Sequence, residues 1–474
     1  MLHRKITDTS AIHYQDATAL AALIRTKQLS SREVVQAHLD RIQAVNPQVN
    51  AVVTLMAEEA LTSADAADKA VTSSAPLGPL HGVPFSIKDA LDTAGVLTQR
   101  GSKLFAGNIP EKDATTVARF KAAGGIPLMK TNLPEFSAWT ESDNRVTGRT
   151  NNPWNLERTP GGSSGGESAA LAAGMSPIGI GSDVMISVRG PAAFTGVAAL
   201  KATHGRVPYT GHYPRVISHW WHVGPMARTI RDVALGYSIL KGPDGIDGYA
   251  IHAREAKADG SGLAGQPVRV GWVSDAAFAP VDPEITAAVA AAAAQLADLG
   301  CEVEEVTLPF LGDPFGTLAT LVYGEIVPSI KALAAGREGE LHAIGASIVG
   351  TPDPSFGDFA AAHAKVEALR SAFAGFFQRY DVLLTPVTPM TATPHGALEL
   401  VVNGVTAPWT HVMAATCPFN MTGLPALSVP YAFSSEQLPI GVQLVAKWLD
   451  EDTILRLGAM LERRGGLGDR RPAI

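Results

Sequence analysis

Thr159-Pro160-Gly161-Gly162-Ser163-Ser164-Gly165-Gly166-Glu167-Ser168-Ala169 sets two adjacent hydroxyls between two glycine pairs. Glycine tolerates positive φ and lets the backbone pass close to a ligand or a second chain segment, so this composition predicts a constrained turn presenting hydroxyls and N–H groups inward. Gly/Ser runs also serve as flexible linkers. This one continues directly into Glu167-Ser168-Ala169-Ala170-Leu171-Ala172-Ala173-Gly174, a small-residue helix closed by Gly174 just past its C-terminus. The expected element is therefore a structured loop leading into a helix.

A second, isolated serine follows in Gly181-Ser182-Asp183-Val184-Met185-Ile186-Ser187-Val188-Arg189, and a lysine stands upstream in His81-Gly82-Val83-Pro84-Phe85-Ser86-Ile87-Lys88-Asp89-Ala90. Lysine belongs on the surface by default. Forced into apolar surroundings, its charged form is disfavoured, its pKa falls and the neutral amine becomes a base near pH 7. Alone, Lys88 reads as a surface residue at the end of a strand. Grouped with the two serines it points to a serine hydrolase with no histidine in its machinery.

Lys88 precedes Ser163 by 75 residues and Ser187 follows Ser163 by 24. These residues and intervals resemble the amidase signature family, whose members carry a lysine, a serine with a cis peptide bond and a nucleophilic serine. The resemblance extends through Ser30 to Asn50, Lys130-Thr131-Asn132-Leu133-Pro134-Glu135-Phe136, Asn152-Pro153-Trp154, Gly224-Pro225-Met226-Ala227-Arg228, Gly423 to Pro430 and Gly441-Val442-Gln443-Leu444. It implies that Ser187 is the nucleophile, Ser163 the bridging cis-serine and Lys88 the base. A serine hydroxyl needs a nearby base to attack. Neutral Lys88 would take a proton from Ser163, which takes one from Ser187, and protonated Lys88 would return it to the leaving amine.

Attack on a carbonyl creates an oxyanion, and each backbone N–H aimed at it is worth about 3–4 kcal/mol. The turn Val184-Met185-Ile186-Ser187 is expected to supply those donors. Here the chain departs from the family, which usually has two glycines where Met185 and Ile186 stand. A β-branched Ile186 tolerates positive φ badly, so either the turn uses negative φ there or its geometry is altered. The preferred reading is that the bulky side chains reshape the acyl pocket and preserve the N–H groups; the other is an impaired oxyanion hole. The resemblance places Asp183 and Arg189 beneath the nucleophile loop as a supporting pair, where the bland alternative is a solvated pair of little value. Ser164 and Thr159 read as loop-holding hydroxyls. Met185, Ile186, Phe194, Trp220 and Trp221 are candidates for an apolar substrate pocket.

Composition bounds the remaining possibilities. The 474 residues carry a net charge of −7, 46 glycines, 32 prolines and 46% hydrophobic residues. That excludes general disorder and gives no phosphate-tracking basic surface for nucleic acid. No run approaches the ~20 apolar residues needed to cross a bilayer, and Met1 to Asp8 has no apolar signal segment, so a cytoplasmic location is expected. Cys301 and Cys417, two and far apart, read as reduced thiols. The stretch Gly211 to His222 carries three histidines, but His219 and His222 lack an acidic partner, so no metal and no cofactor are expected.

Strand-like runs at Val83 to Ile87, Ile126 to Met129, Val268 to Val273, Val382 to Leu384, Ala426 to Val429 and Gly441 to Val445 alternate with helices such as Asp113 to Ala123, Thr229 to Leu240 and Ile285 to Leu299. This implies an α/β layer structure. Ser30 to Glu33 has the pattern of a capping box, with Val35, Leu39 and Ile42 on one helical face. The resemblance adds a single α/β/α domain over residues 1–474, with a mixed central β-sheet covered by helices on both faces and an N-terminal helical segment at about 15–75 packed on the core. The expected activity is hydrolysis of a small, largely apolar or aryl amide by an acyl-enzyme, with esters and aryl carbamates open to the same addition. Its partners would be that substrate and water, and the assembly considered is a homodimer. Two alternatives stand beside it: an amidotransferase A-type subunit that releases ammonia from glutamine, and a non-catalytic binding protein with a damaged oxyanion hole.

Overall fold

The alternation of apolar runs and amphipathic stretches resolves into a mixed sheet. The computed structural model describes residues 9–73, 76–215, 220–252, 267–273, 277–465, 467 and 470–474. Its strands are β1 (Val52–Leu55), β2 (Pro84–Lys88), β3 (Ile126–Thr131), β4 (Ile178–Asp183), β5 (Ala198–Lys201), β6 (His222–Ala227), β7 (Arg269–Trp272), β8 (Glu302–Glu305), β9 (Val382–Pro386), β10 (Glu399–Val402), β11 (Val405–Pro408), β12 (Ala426–Phe433) and β13 (Pro439–Ala446). Eleven of them form one sheet in the order β1-β3-β2-β4-β6-β5-β12-β13-β9-β7-β8, and β10 and β11 form a separate hairpin. All six strands expected from the sequence are present. The additional β4, β5 and β6 are buried along their whole length, so they show no in–out alternation.

Helices cover both faces of this sheet, and side-chain alternation along the long hairpin shows how. Leu427 and Val429 of β12 point at Gly458 in helix Glu451–Glu462, whereas Gly441 of β13 lies against Ala193 in helix Arg189–Thr195 with Ser428 beside it. Successive strand residues face opposite ways, so these two helices lie on opposite sides. Helix Ile230–Leu240 packs on β6 and beside helix Glu451–Glu462, and helix Gly165–Ala172 packs beside helix Arg189–Thr195. Helix Ser31–Val49 opens with the expected capping box, Ser30 and Glu33 each bonding the other's backbone N–H. Among the described residues no helix is long and apolar enough to cross a membrane. Cys301 and Cys417 are free thiols.

Two features of the sheet place the site. β2 and β4 are parallel neighbours, with Ile87 opposite Ile180, so the carboxyl ends carrying Lys88 and Asp183 emerge at the same edge. Ligands of α/β sheets bind outside such strand ends. The glycine-rich turn comes to this edge from below: Gly161 adopts φ 87°, and helix Gly165–Ala172 begins directly after it with Gly174 at φ 77° past its end. Gly166 is pressed against the strand-end residue Asn132, where a Cβ would lie 2.4 Å from the Asn132 backbone nitrogen. Backbone cannot move aside as a flexible side chain can. Gly166→Ala is therefore expected to lower stability by about 1–3 kcal/mol in denaturant unfolding, the range for overpacking; a variant as stable as the parent would show that the turn adjusts freely.

Candidate active site

Lys88 is the last residue of β2 and is completely buried. Its Nζ lies 2.6 Å from Ser163 Oγ, 3.0 Å from Ser182 Oγ and 3.4 Å from the Ser182 carbonyl. Burial pulls the amine down from 10.5 to about 7, against the opposing pull of the Asp183 and Glu167 carboxylates. Glu167 is itself buried beneath the turn, accepting hydrogen bonds from Ser86 and Thr131, and burial pushes its carboxyl up to about 7. The Gly162–Ser163 peptide bond is cis.

The loop bearing Ser187 is stitched to this turn. Ser164 N–H donates to the Ser187 carbonyl at 3.1 Å, Ser164 Oγ to the Ser182 carbonyl at 3.3 Å, and Thr159 Oγ1 accepts from Gly161 N–H at 3.0 Å. Ser164 thus joins the two loops, and Thr159 holds the glycine turn itself.

Beneath the loop, Arg189 and Asp183 form a fully buried fork. Arg189 Nε donates to Asp183 Oδ2 at 3.0 Å and Nη2 to Oδ1 at 2.9 Å. Further donations reach the Thr416 carbonyl, Gln443 Oε1, Asn420 Oδ1 and the Met185 carbonyl. The reading as a solvated pair does not hold, since neither side chain touches solvent. The guanidinium and the Asn420 amide together keep the Asp183 carboxyl at about 2 despite its burial.

Neither Met185 nor Ile186 has positive φ. The turn runs through the ordinary backbone region that a β-branched residue accepts. Asp183 Oδ2 accepts from Val188 N–H at 3.1 Å, and the Ile186 carbonyl accepts from Gly190 N–H at 2.8 Å. Among the described residues the N–H groups of Val184, Met185, Ile186 and Ser187 find no acceptor.

Ser187 lies on the wall of a small, partly open cavity offering about 40 Å³ to the centre of a water-sized sphere. Of the pocket candidates named from the sequence, Met185, Ile186 and Trp221 line it, together with Val184. Phe194 and Trp220 are not part of that wall. The Phe194 carbonyl receives Asn152 Nδ2 at 2.9 Å, and Trp220 Nε1 donates to Glu325 at 3.3 Å. The remaining wall comes from residues not named individually from the sequence: the turn Ser137 to Thr140, Val322, Tyr323 and Ile326 of helix Pro314–Ala334, and Trp409 with Met413 after the β10–β11 hairpin. Phe136 and Ser137 both sit in the left-handed region, φ 56° and 59°, which turns this segment against the cavity. Helix Pro314–Ala334 lies in a stretch whose course the sequence pattern does not fix. Its apolar run with internal Pro328 is a weak helix signal, and Asp313 accepting from Gly316 N–H as N-cap is the cue that identifies it.

The sequence also missed a histidine. His212 is buried with Nε2 2.8 Å from Ser182 Oγ, the hydroxyl that touches Lys88. Its neighbour in the same motif, His222, donates from Nδ1 to the Trp220 carbonyl at 3.0 Å, and His219 lies outside the described residues.

Comparison with known proteins follows the same lines. The Amidase family model matches residues 33–323 and 352–455. The chain is 34% identical over 473 residues to an acylamidase of Rhodococcus erythropolis, covering 98% of both. It is 36% identical over 480 residues to the A-type subunit of the glutamyl-tRNA(Gln) amidotransferase of Synechococcus sp. (strain CC9605), covering 95% of this chain and 96% of that one. Its fold matches the structure of 6-aminohexanoate cyclic dimer hydrolase with a TM-score of 0.87 at 32% identity, over 97% and 99% of the two chains. The chain belongs to the amidase signature family and is an amidase-family enzyme that acts on amides.

Proposed function

We propose that this enzyme hydrolyses small, largely apolar amides through an acyl-enzyme on Ser187, with Lys88 as the base acting through Ser163. The observation that carries this reading is a fully buried lysine amine 2.6 Å from a serine hydroxyl. At neutral pH that amine is substantially uncharged and has a lone pair to offer. Ser163 would pass its proton to Lys88 and draw one from Ser187, which attacks the carbonyl carbon. The N–H groups of the Val184 to Ser187 turn would receive the oxyanion. As the tetrahedral adduct collapses, protonated Lys88 would return the proton through the same hydroxyls to the leaving nitrogen, and water would release the acyl group by the reverse relay. Esters and aryl carbamates present the same carbonyl and fall within this reach.

The similarity to an amidotransferase component supports a second reading, ammonia release from glutamine for a partner. The cavity favours the first. Glutamine brings a charged amine and carboxylate, and among the described residues of the wall none is charged; Ser137, Thr140, Tyr323 and Ser187 are its hydroxyls among apolar neighbours. A water needs roughly 10–15 Å³ on the same measure, so the space beside Ser187 suits a small apolar group.

Two outcomes test the proposal. Only the neutral amine is active, so kcat/KM for 4-nitroacetanilide should climb about tenfold per pH unit below a midpoint near 7 and level off above it. Lys88→Ala and Ser187→Ala should each cost at least about a thousandfold; a flat profile from pH 5 to 9, or an active Ser187→Ala, rejects the relay. Met185→Ala enlarges the wall beside Ser187. It should raise kcat/KM for hexanoyl over acetyl anilide by about tenfold relative to the parent, the worth of one or two methylenes; an unchanged ratio would move the acyl group elsewhere.

A further inference from the structure

We infer that His212 is a positioning residue that orients the Lys88 amine through Ser182, an inference that rests on the proposed role of Lys88 as base. The directions of the hydrogen bonds are determined by what each atom can do. His212 Nδ1 lies 3.3 Å from the Pro214 carbonyl, which can only accept, so Nδ1 carries the ring proton and Nε2 is a bare acceptor. Ser182 Oγ, 2.8 Å from Nε2, must therefore donate its hydrogen to the ring. That leaves the Ser182 oxygen with only lone pairs to show Lys88, 3.0 Å away. The Ser182 carbonyl at 3.4 Å likewise only accepts.

A neutral amine has two hydrogens and one lone pair. Both hydrogens are drawn toward Ser182, so the lone pair is left for the Ser163 hydroxyl at 2.6 Å, the orientation a base needs. Without an acceptor at position 212, the Ser182 hydroxyl is free to donate to that same lone pair and compete with Ser163. The ring stays neutral because burial, and then the charge of Lys88, hold it well below the ordinary histidine value. The groups facing Lys88 are Ser163, Ser182, Asp183 and Glu167; those facing His212 are Ser182, Lys88, Arg100 and the Trp221 ring.

Backbone bonds hold this ring close to the lysine. Asp92 N–H donates to the Gly211 carbonyl and Tyr213 N–H to the Ala90 carbonyl, both at 2.9 Å, so the His212 segment is pinned to residues just after Lys88. A histidine held only for packing would not need its bare nitrogen aimed at the hydroxyl that touches the base.

The test is the rate at which a fluorophosphonate labels Ser187, followed from pH 5 to 9, which requires no knowledge of the substrate. His212→Leu should lower the plateau about tenfold to a hundredfold and move the midpoint to lower pH, because the freed hydroxyl stabilises the neutral amine in the wrong orientation. His212→Gln, whose amide oxygen can accept from Ser182, should recover the plateau to within about threefold. Added to Ser182→Ala, His212→Leu should change the rate by less than about twofold, since both remove the same link. The inference is overturned if His212→Leu leaves plateau and midpoint as in the parent, or if its effect multiplies with that of Ser182→Ala. Should His212→Leu not fold, Ser182→Ala against Ser182→Thr, which keeps the hydroxyl, decides: equal plateaus reject the link. Failure of the base assignment itself is distinct, because the parent would then show no acid limb and Lys88→Ala would label as fast.

Discussion

Everything at the sheet edge follows from keeping one amine out of water. Moving an ammonium into the protein interior is costly, and the usual outcome is loss of its proton. The surroundings of Lys88 do little to oppose that loss. Asp183 lies near, but its charge is matched by the Arg189 fork, and Glu167 is buried deeply enough to favour its own neutral form. The two carboxyls that are able to hold Lys88 as a cation are thus committed elsewhere. What remains around Nζ is a set of hydroxyl and carbonyl oxygens, which hydrogen-bond a neutral amine well and compensate an ammonium poorly.

The same edge shows why Arg189 is built in so heavily. A loop that leaves its N–H groups without partners has lost the usual means of holding its shape, since buried backbone groups are ordinarily paired. The guanidinium replaces that missing scaffold from below. It grips the Met185 carbonyl and, through Asp183, the N–H of Val188, and it ties both to Thr416, to Asn420 and to Gln443 of strand β13. The loop is rigid in its carbonyls and vacant in its donors.

Much of this was legible in the chain because it is local. The capping box at Ser30, the helix ending at Gly174 and the small-residue turn at Ser163 are each set by a few neighbouring residues, and the spacing of Lys88, Ser163 and Ser187 is long enough to carry a family resemblance. The Asp183 and Arg189 pair is close in sequence and was readable as a pair, though not its burial. What escaped is non-local. His212 meets Ser182 across 30 residues because backbone bonds to Ala90 and Asp92 place it there, and no periodicity records such bonds. Trp220 and Trp221 are adjacent, yet their side chains part just before strand β6, so that Trp221 reaches the cavity and Trp220 reaches Glu325. The wall from Val322, Tyr323 and Ile326 depends on where helix Pro314–Ala334 docks, which is a tertiary matter.

The departure at Met185 and Ile186 is the instructive case. Glycines in such a turn are read as a demand for positive φ, and by that logic a β-branched residue would wreck the donors. The backbone here has no such demand at either position, so the constraint on the site is steric rather than conformational: what a side chain may fill. Ile186 answers it by lying against Gly190, where a Cβ would come within 2.5 Å of its Cγ1, and Met185 by forming part of the cavity wall. A turn that carries two large side chains exchanges room for shape. It follows that two sets of constraints meet in this loop: its backbone is held by Arg189, while the shape of the cavity wall belongs to the side chains of Met185 and Ile186.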